Sequence, residues 1–174
     1  KRQALHRVLS SGLMRSGVST AQTVSPSMDI QLPYNVWRLL FVASRGDGVA
    51  VRRWQAQLRE RGVLEVPPAV RAWIAQRVRS AAVSDEETLE TMRAVRASCG
   101  YVLDPHSAIG VAAARKTRTP GTSVPMVCLA CAHWAKFPDA NAVALGAVSS
   151  SNHPIQLRPP TPPPPPPPLL LLDT

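Results

Sequence analysis

Residues 101–130 read YVLDPHSAIGVAAARKTRTPGTSVPMVCLA, and the fold class turns on this stretch. Tyr101-Val102-Leu103 is a short apolar run suited to extended backbone. Asp104-Pro105 follows with a capping carboxylate and a proline at the first helical position, where its missing N–H costs nothing. The helix so opened carries Ile109, Val111 and several alanines, small enough for close packing, until Arg115-Lys116 and the Thr119-Pro120-Gly121 turn end it. Pro125 to Ala130 is a continuous apolar run of the kind buried in a parallel sheet. Helices alternating with short buried strands predict an α/β layer, with the chain helix-rich as a whole.

Upstream of this stretch, Ser84-Asp85-Glu86-Glu87 is a capping box. The Ser84 hydroxyl can accept from the Glu87 amide while the Glu87 carboxylate reaches back to the Ser84 amide, starting a helix that runs to about Ser98. The three carboxylates of its first turn suit the positive end of the helix dipole, which makes their role structural. Ala81-Ala82-Val83 is a candidate short strand. Before it, Pro67-Pro68 opens a helix with Val70, Ile74 and Val78 on one face. Val51, Trp54 and Leu58 mark another, closed by Gly62. Asn35 is a cap candidate for a helix through Trp37, Leu39, Leu40 and Val42, with Gly46-Asp47-Gly48 closing it. Residues 1 to 12 read as a helix with Ala4, Leu5, Val8 and Leu9 on one side and Gly12 as its stop. Residues 13 to 34 lack helical period and predict a shaped loop with one short strand. Downstream, Phe137-Pro138-Asp139-Ala140 begins a short helix that fades near Gly146.

From Ser149 the composition changes. His153-Pro154, Pro159-Pro160 and the run Pro162 to Pro168 exclude helix and central strand, and residues 149–174 are expected to be a disordered or polyproline II tail. Residues 1–148 are expected to form the folded portion.

The 174 residues carry 20 Lys and Arg against 11 Asp and Glu, for a net charge of +9. No uninterrupted apolar run, the four leucines Leu169 to Leu172 included, approaches the roughly 20 residues a spanning helix needs, so no membrane span is expected. No basic start leading into an apolar stretch and a small-residue cleavage site is seen, and Lys1 in place of Met reads as a processed product or a fragment. Cys99, Cys128 and Cys131 are too few for a disulfide scaffold, so a reducing, cytoplasmic setting is expected. Arginines crowd residues 52–79 and could track phosphates or anionic lipids, but a solvated helical face explains them equally, and no nucleic-acid motif accompanies them. Cys128-Leu129-Ala130-Cys131 has metal-knuckle or redox spacing but no mate, so two small apolar residues at a strand end is the favoured reading. His133 and Lys136 follow that strand, where α/β proteins bind ligands. No Gly-rich phosphate loop or nucleophile elbow is present.

Four ordered blocks resemble the threonine synthase family. They are Ser25-Pro26-Ser27-Met28-Asp29-Ile30 with Pro33-Tyr34-Asn35 and Arg38; Val83 to Thr88; Gly100 to Gly110; and Cys128 to Pro138, similar to the family's Leu-Ala-Thr-Ala-His-Pro-Ala-Lys-Phe. The branch most resembled is that of the vertebrate threonine synthase-like proteins. The resemblance implies the C-terminal third of a fold type II pyridoxal-phosphate enzyme. Its substrates would be small O-phosphorylated hydroxy-amino acids, of the phosphohomoserine or phosphothreonine type, from which it eliminates phosphate. It also implies that Cys131 contacts the cofactor, standing where the family has a threonine facing the pyridine nitrogen.

The sequence departs from the family as well. The family's cofactor lysine lies in a Phe-Lys-Asp context that this sequence lacks, and its Gly/Asn-rich phosphate cradle is not found, so no catalytic residue is assigned here. Trp134 replaces the family's proline, and after Asp139 the match gives way to the proline tail. Two other readings are carried: a non-catalytic secreted or binding isoform, and a basic nucleic-acid or lipid binder.

Overall fold

The structure, a computed structural model, describes residues 4–17 and 22–146. The expected boundary at 148 and the tail at 149–174 lie outside the described residues. The chain divides into two compact units, Lys1–Ala82 and Val83–Thr174, each with its own core.

In the first unit, α1 (Ala4–Ser11) ends at Gly12, whose φ of +76° only glycine adopts without strain. The chain then enters β1 (Leu13–Arg15), which pairs antiparallel with β2 (Val63–Glu65) in the register Met14 opposite Leu64. Both of those side chains are buried. Between the strands lie α2 (Val36–Ala43) and α3 (Gly48–Arg61), and α4 (Pro68–Ala75) follows. Leu40, Trp54, Leu58, Val70 and Ile74 from these helices close over Met14 and Leu64, which explains the apolar spacing of their sequences. Arg52, Arg53, Arg59 and Arg61 project from α3 into solvent.

Four expectations here are corrected. Asn35 makes no capping bond, because its own backbone is already helical (φ −64°, ψ −21°) and a capping residue must stand outside the helix. Gly46-Asp47-Gly48 does more than close α2. Asp47 Oδ1 accepts from Ala50 N at 2.8 Å and opens α3, in which Gly48 is the first residue. Leu5 is exposed, leaving Ala4 and Val8 buried, and Ala50 takes the buried place expected for Val51, which packs at the core edge. Val78 touches the same core beyond the end of α4.

The second unit packs α5 (Asp85–Cys99) against α6 (Pro105–Thr117) and α7 (Pro138–Leu145). Met92, Val95, Leu103, Ala108, Val111 and Ala144 make its core. The capping box forms as expected, with Glu87 N to Ser84 Oγ at 3.2 Å and Ser84 N to Glu87 Oε2 at 2.8 Å.

The strands expected at 81–83, 101–103 and 125–130 do not form. Among the described residues, β1 and β2 pair only with each other, and an extended segment without a neighbour has no ladder to join. Residues 125–130 therefore run as irregular backbone with Val127 and Leu129 exposed (66% and 82%). Side chains that read as sheet core face solvent.

Ser84→Ala should lower stability in urea by about 1 kcal/mol, the usual worth of such a cap. Glu87 adds a pH dependence. The hydrogen bond from the Lys116 ammonium, at 2.5 Å, and the one from the Ser84 amide hold its carboxyl below the usual 4.5. The unfolded state then binds more protons between the two values, so the Glu87 contribution is complete above 4.5 and lost as pH falls through the folded value. Between about pH 5 and pH 3 the unmodified chain should lose more stability than Glu87→Gln. Parallel stability curves would contradict this.

Candidate functional site

Asp104 anchors the site. It is 2% exposed, in extended conformation (φ −76°, ψ 158°), and its carboxylate caps α6. Oδ1 accepts from His106 N at 2.9 Å and Ser107 N at 3.3 Å, and lies 3.1 Å from His106 Nδ1. Oδ2 accepts from the Ser107 hydroxyl. Pro105, buried at the first helical position, has no N–H to satisfy.

From this turn two contacts reach the segment that follows residue 130. Ser107 Oγ accepts from Cys131 N at 3.2 Å. The His106 ring lies tilted against Phe137, centroids 4.7 Å apart. Beyond Cys131, His133 Nδ1 accepts from Ala135 N at 3.2 Å and caps a 3₁₀ turn, Trp134–Lys136. Asn141 on α7 fastens that turn by donating Nδ2 to Trp134 O (2.7 Å) and Phe137 O (2.8 Å), while its buried Oδ1 finds no partner among the described residues. Residues 131–141 are thus tied at several points to the start of α6 and to α7.

Cys131 ends the irregular run with an exposed side chain, its Sγ 3.7 Å from Leu129 O. Cys128 is partly covered, packs on the core of the second unit and approaches Gly110 O. Burial raises its thiol pKa, opposed by the positive charge of Arg115. The two thiols occupy different surroundings, and no group of three or more metal-ligating side chains occurs among the described residues. His133 is spent on its cap, Lys136 is exposed, and Lys116 pairs with Glu87. The structure does not gather these residues round one point. The sequence reading passed over Ser107 and Asn141. Ser107 sits three residues after Asp104, the spacing at which an N-cap carboxylate meets a side chain of the first turn, and that signal was available.

The family model "Threonine synthase, C-terminal" matches residues 107–166, starting at Ser107. The chain is 44% identical over 138 residues to threonine synthase of Pseudomonas aeruginosa, covering 78% of this chain and 29% of that protein. Human threonine synthase-like 2 is 31% identical over 137 residues, covering 78% and 28%. Among solved structures, PLP-bound threonine synthase from Brucella melitensis superposes with a TM-score of 0.75 at 42% identity, covering 82% of this chain and 30% of that one. Over this part of its length the chain belongs to the threonine synthase family.

The Brucella melitensis structure is PLP-bound, and helix predominates in the part of this chain that matches it. The yeast threonine synthase structure agrees, at a TM-score of 0.75 and 34% identity. The chain spans about three tenths of the length of the threonine synthases it matches. Whether its residues suit pyridoxal phosphate can be asked of Cys131. Its side chain is exposed, its sulfur is a weak donor and acceptor, and its backbone is held by Ser107, so it fits a contact to a ring nitrogen.

Asp104→Ala strands two helix amides and the Ser107 hydroxyl inside the protein, and should cost about 2–4 kcal/mol. Asp104→Asn keeps an acceptor for the amides and should cost less than half as much. Urea unfolding of the two variants checks the order; equal losses would show that the carboxylate is not the anchor.

Proposed function

We propose that this chain forms the C-terminal wall of a pyridoxal-phosphate site in a threonine synthase-type enzyme acting on small O-phosphorylated hydroxy-amino acids. The observation that carries the reading is the agreement of about four fifths of the chain with a PLP-bound threonine synthase, together with an exposed Cys131 in the block that resembles the family's cofactor-facing segment. Residues 1–148 belong to the enzyme in this reading, and 149–174 form a separate proline-rich tail. Three free cysteines suit a reducing, cytoplasmic setting.

Pyridoxal phosphate, when bound, supplies an electron sink for carbanion chemistry, and the protein supplies position and electrostatics. Cys131 is the residue assigned to the ring nitrogen. A neutral thiol there is a weak hydrogen-bonding partner, whereas a carboxylate would hold a proton on the nitrogen and strengthen the sink. Asn141 fastens the 3₁₀ turn that follows Cys131, and the His106 ring packs on Phe137 at the end of that turn. The lysine that holds the cofactor and the phosphate cradle come from outside these residues.

The test is a chimera in which this chain replaces the matching segment of the Pseudomonas aeruginosa threonine synthase. The chimera should keep pyridoxal phosphate through gel filtration and release phosphate from O-phosphohomoserine. Cys131→Thr should preserve or raise turnover, while Cys131→Asp should change it about tenfold or more, ~1.4 kcal/mol in the barrier. Turnover and cofactor affinity unchanged in both variants would reduce Cys131 to packing. The 174-residue chain alone, mixed with pyridoxal phosphate and borohydride, should show no stoichiometric label on Lys116 or Lys136.

A further inference from the structure

The run 125–131 is held by little. Among the described residues, the bond from Cys131 N to Ser107 Oγ is the one hydrogen bond that a backbone N–H of this run makes. The Cys128 thiol adds a 4.0 Å approach to Gly110 O. Val127 and Leu129 face solvent and pin nothing. Within this run, the Cys131 peptide, from which the side chain leaves, is fastened by its bond to one serine.

That serine is set by its own bonds. A hydroxyl has one proton and two lone pairs. The Ser107 proton goes to Asp104 Oδ2, and Asp104 is held in turn by His106 N, Ser107 N and His106 Nδ1. With the proton committed, the lone pairs of a buried oxygen are turned to the segment, where Cys131 N–H meets one of them. The hydroxyl donates to Asp104 Oδ2 and a backbone N–H can only donate, so the direction of both bonds is fixed.

We propose that Ser107 is a positioning residue for the cofactor-facing thiol: Asp104 orients the Ser107 hydroxyl, and Ser107 fixes the peptide from which Cys131 meets the ring nitrogen. The inference rests on the reading of Cys131 as the cofactor contact. It adds a residue that itself touches neither cofactor nor substrate.

Two measurements test it. The first uses the 174-residue chain without cofactor and follows amide hydrogen exchange by NMR. The Cys131 amide should exchange more slowly than those of Leu129 and Ala130. Ser107→Ala should speed Cys131 about fivefold, the usual worth of one hydrogen bond, and Ser107→Thr should restore it. Cys131 exchanging as fast as Leu129 in the unmodified chain overturns the proposal without any variant, so misfolding of Ser107→Ala cannot shelter it. The second uses the chimera and reads pyridoxal-phosphate affinity from the visible band. Ser107→Ala should weaken it by about threefold or more, with no further loss in a Cys131→Ala background, as expected for coupled neighbours. Equal losses in both backgrounds would make Ser107 a general stabiliser and sink the inference alone. If Cys131→Ala leaves affinity unchanged, the reading of Cys131 fails, and the inference falls with it.

Discussion

A buried carboxylate that caps a helix must have both oxygens satisfied, and Asp104 meets that condition in a way that fixes much of the second unit. One oxygen takes the first free amides of α6 and faces His106, and the other takes the Ser107 proton. Had the cap been solvent-exposed, its loss would cost a fraction of a helix. Buried, it would leave several donors unpaired at once, each at roughly 1–3 kcal/mol. The same turn is the point from which Ser107 and His106 reach forward to Cys131 and Phe137. Stability and placement of the candidate site thus rest on one side chain.

Around that anchor the second unit distributes its polar contacts economically. Asn141 closes the 3₁₀ turn with both protons of its amide, and His133 caps it from the other side. Apolar packing alone would let the segment slide, since residues 125–131 bury few side chains. Directional bonds at Cys131, Trp134 and Phe137 fix its register instead, as polar groups do when burial is slight.

Features governed by local chemistry could be read from the chain. The capping box at Ser84, the Asp104-Pro105 start, and the stops at Gly12, Gly62 and Gly146 all appear where the residues placed them, because caps and left-handed glycines depend on neighbours within a turn. The strands could not be read this way. An apolar run such as 125–130 has the composition of a buried strand, but strand formation depends on a partner far away in sequence, and the described residues provide none for it. Asn35 failed for a different reason: the helix geometry begins one residue sooner than its side chain suggested. The site was half visible. Asp104 and Cys131 carried sequence signals, while the bond that joins them through Ser107 spans 24 residues and needed the fold.

A crystal structure of the chimera with pyridoxal phosphate bound would decide the matter. The Cys131 sulfur should lie about 3.5 Å from the pyridine nitrogen, within the reach of a sulfur hydrogen bond, with Cys131 N still on Ser107 Oγ and Ser107 still on Asp104. A ring nitrogen facing some other residue, with Cys131 turned to solvent, would contradict the assignment of this segment as the cofactor wall.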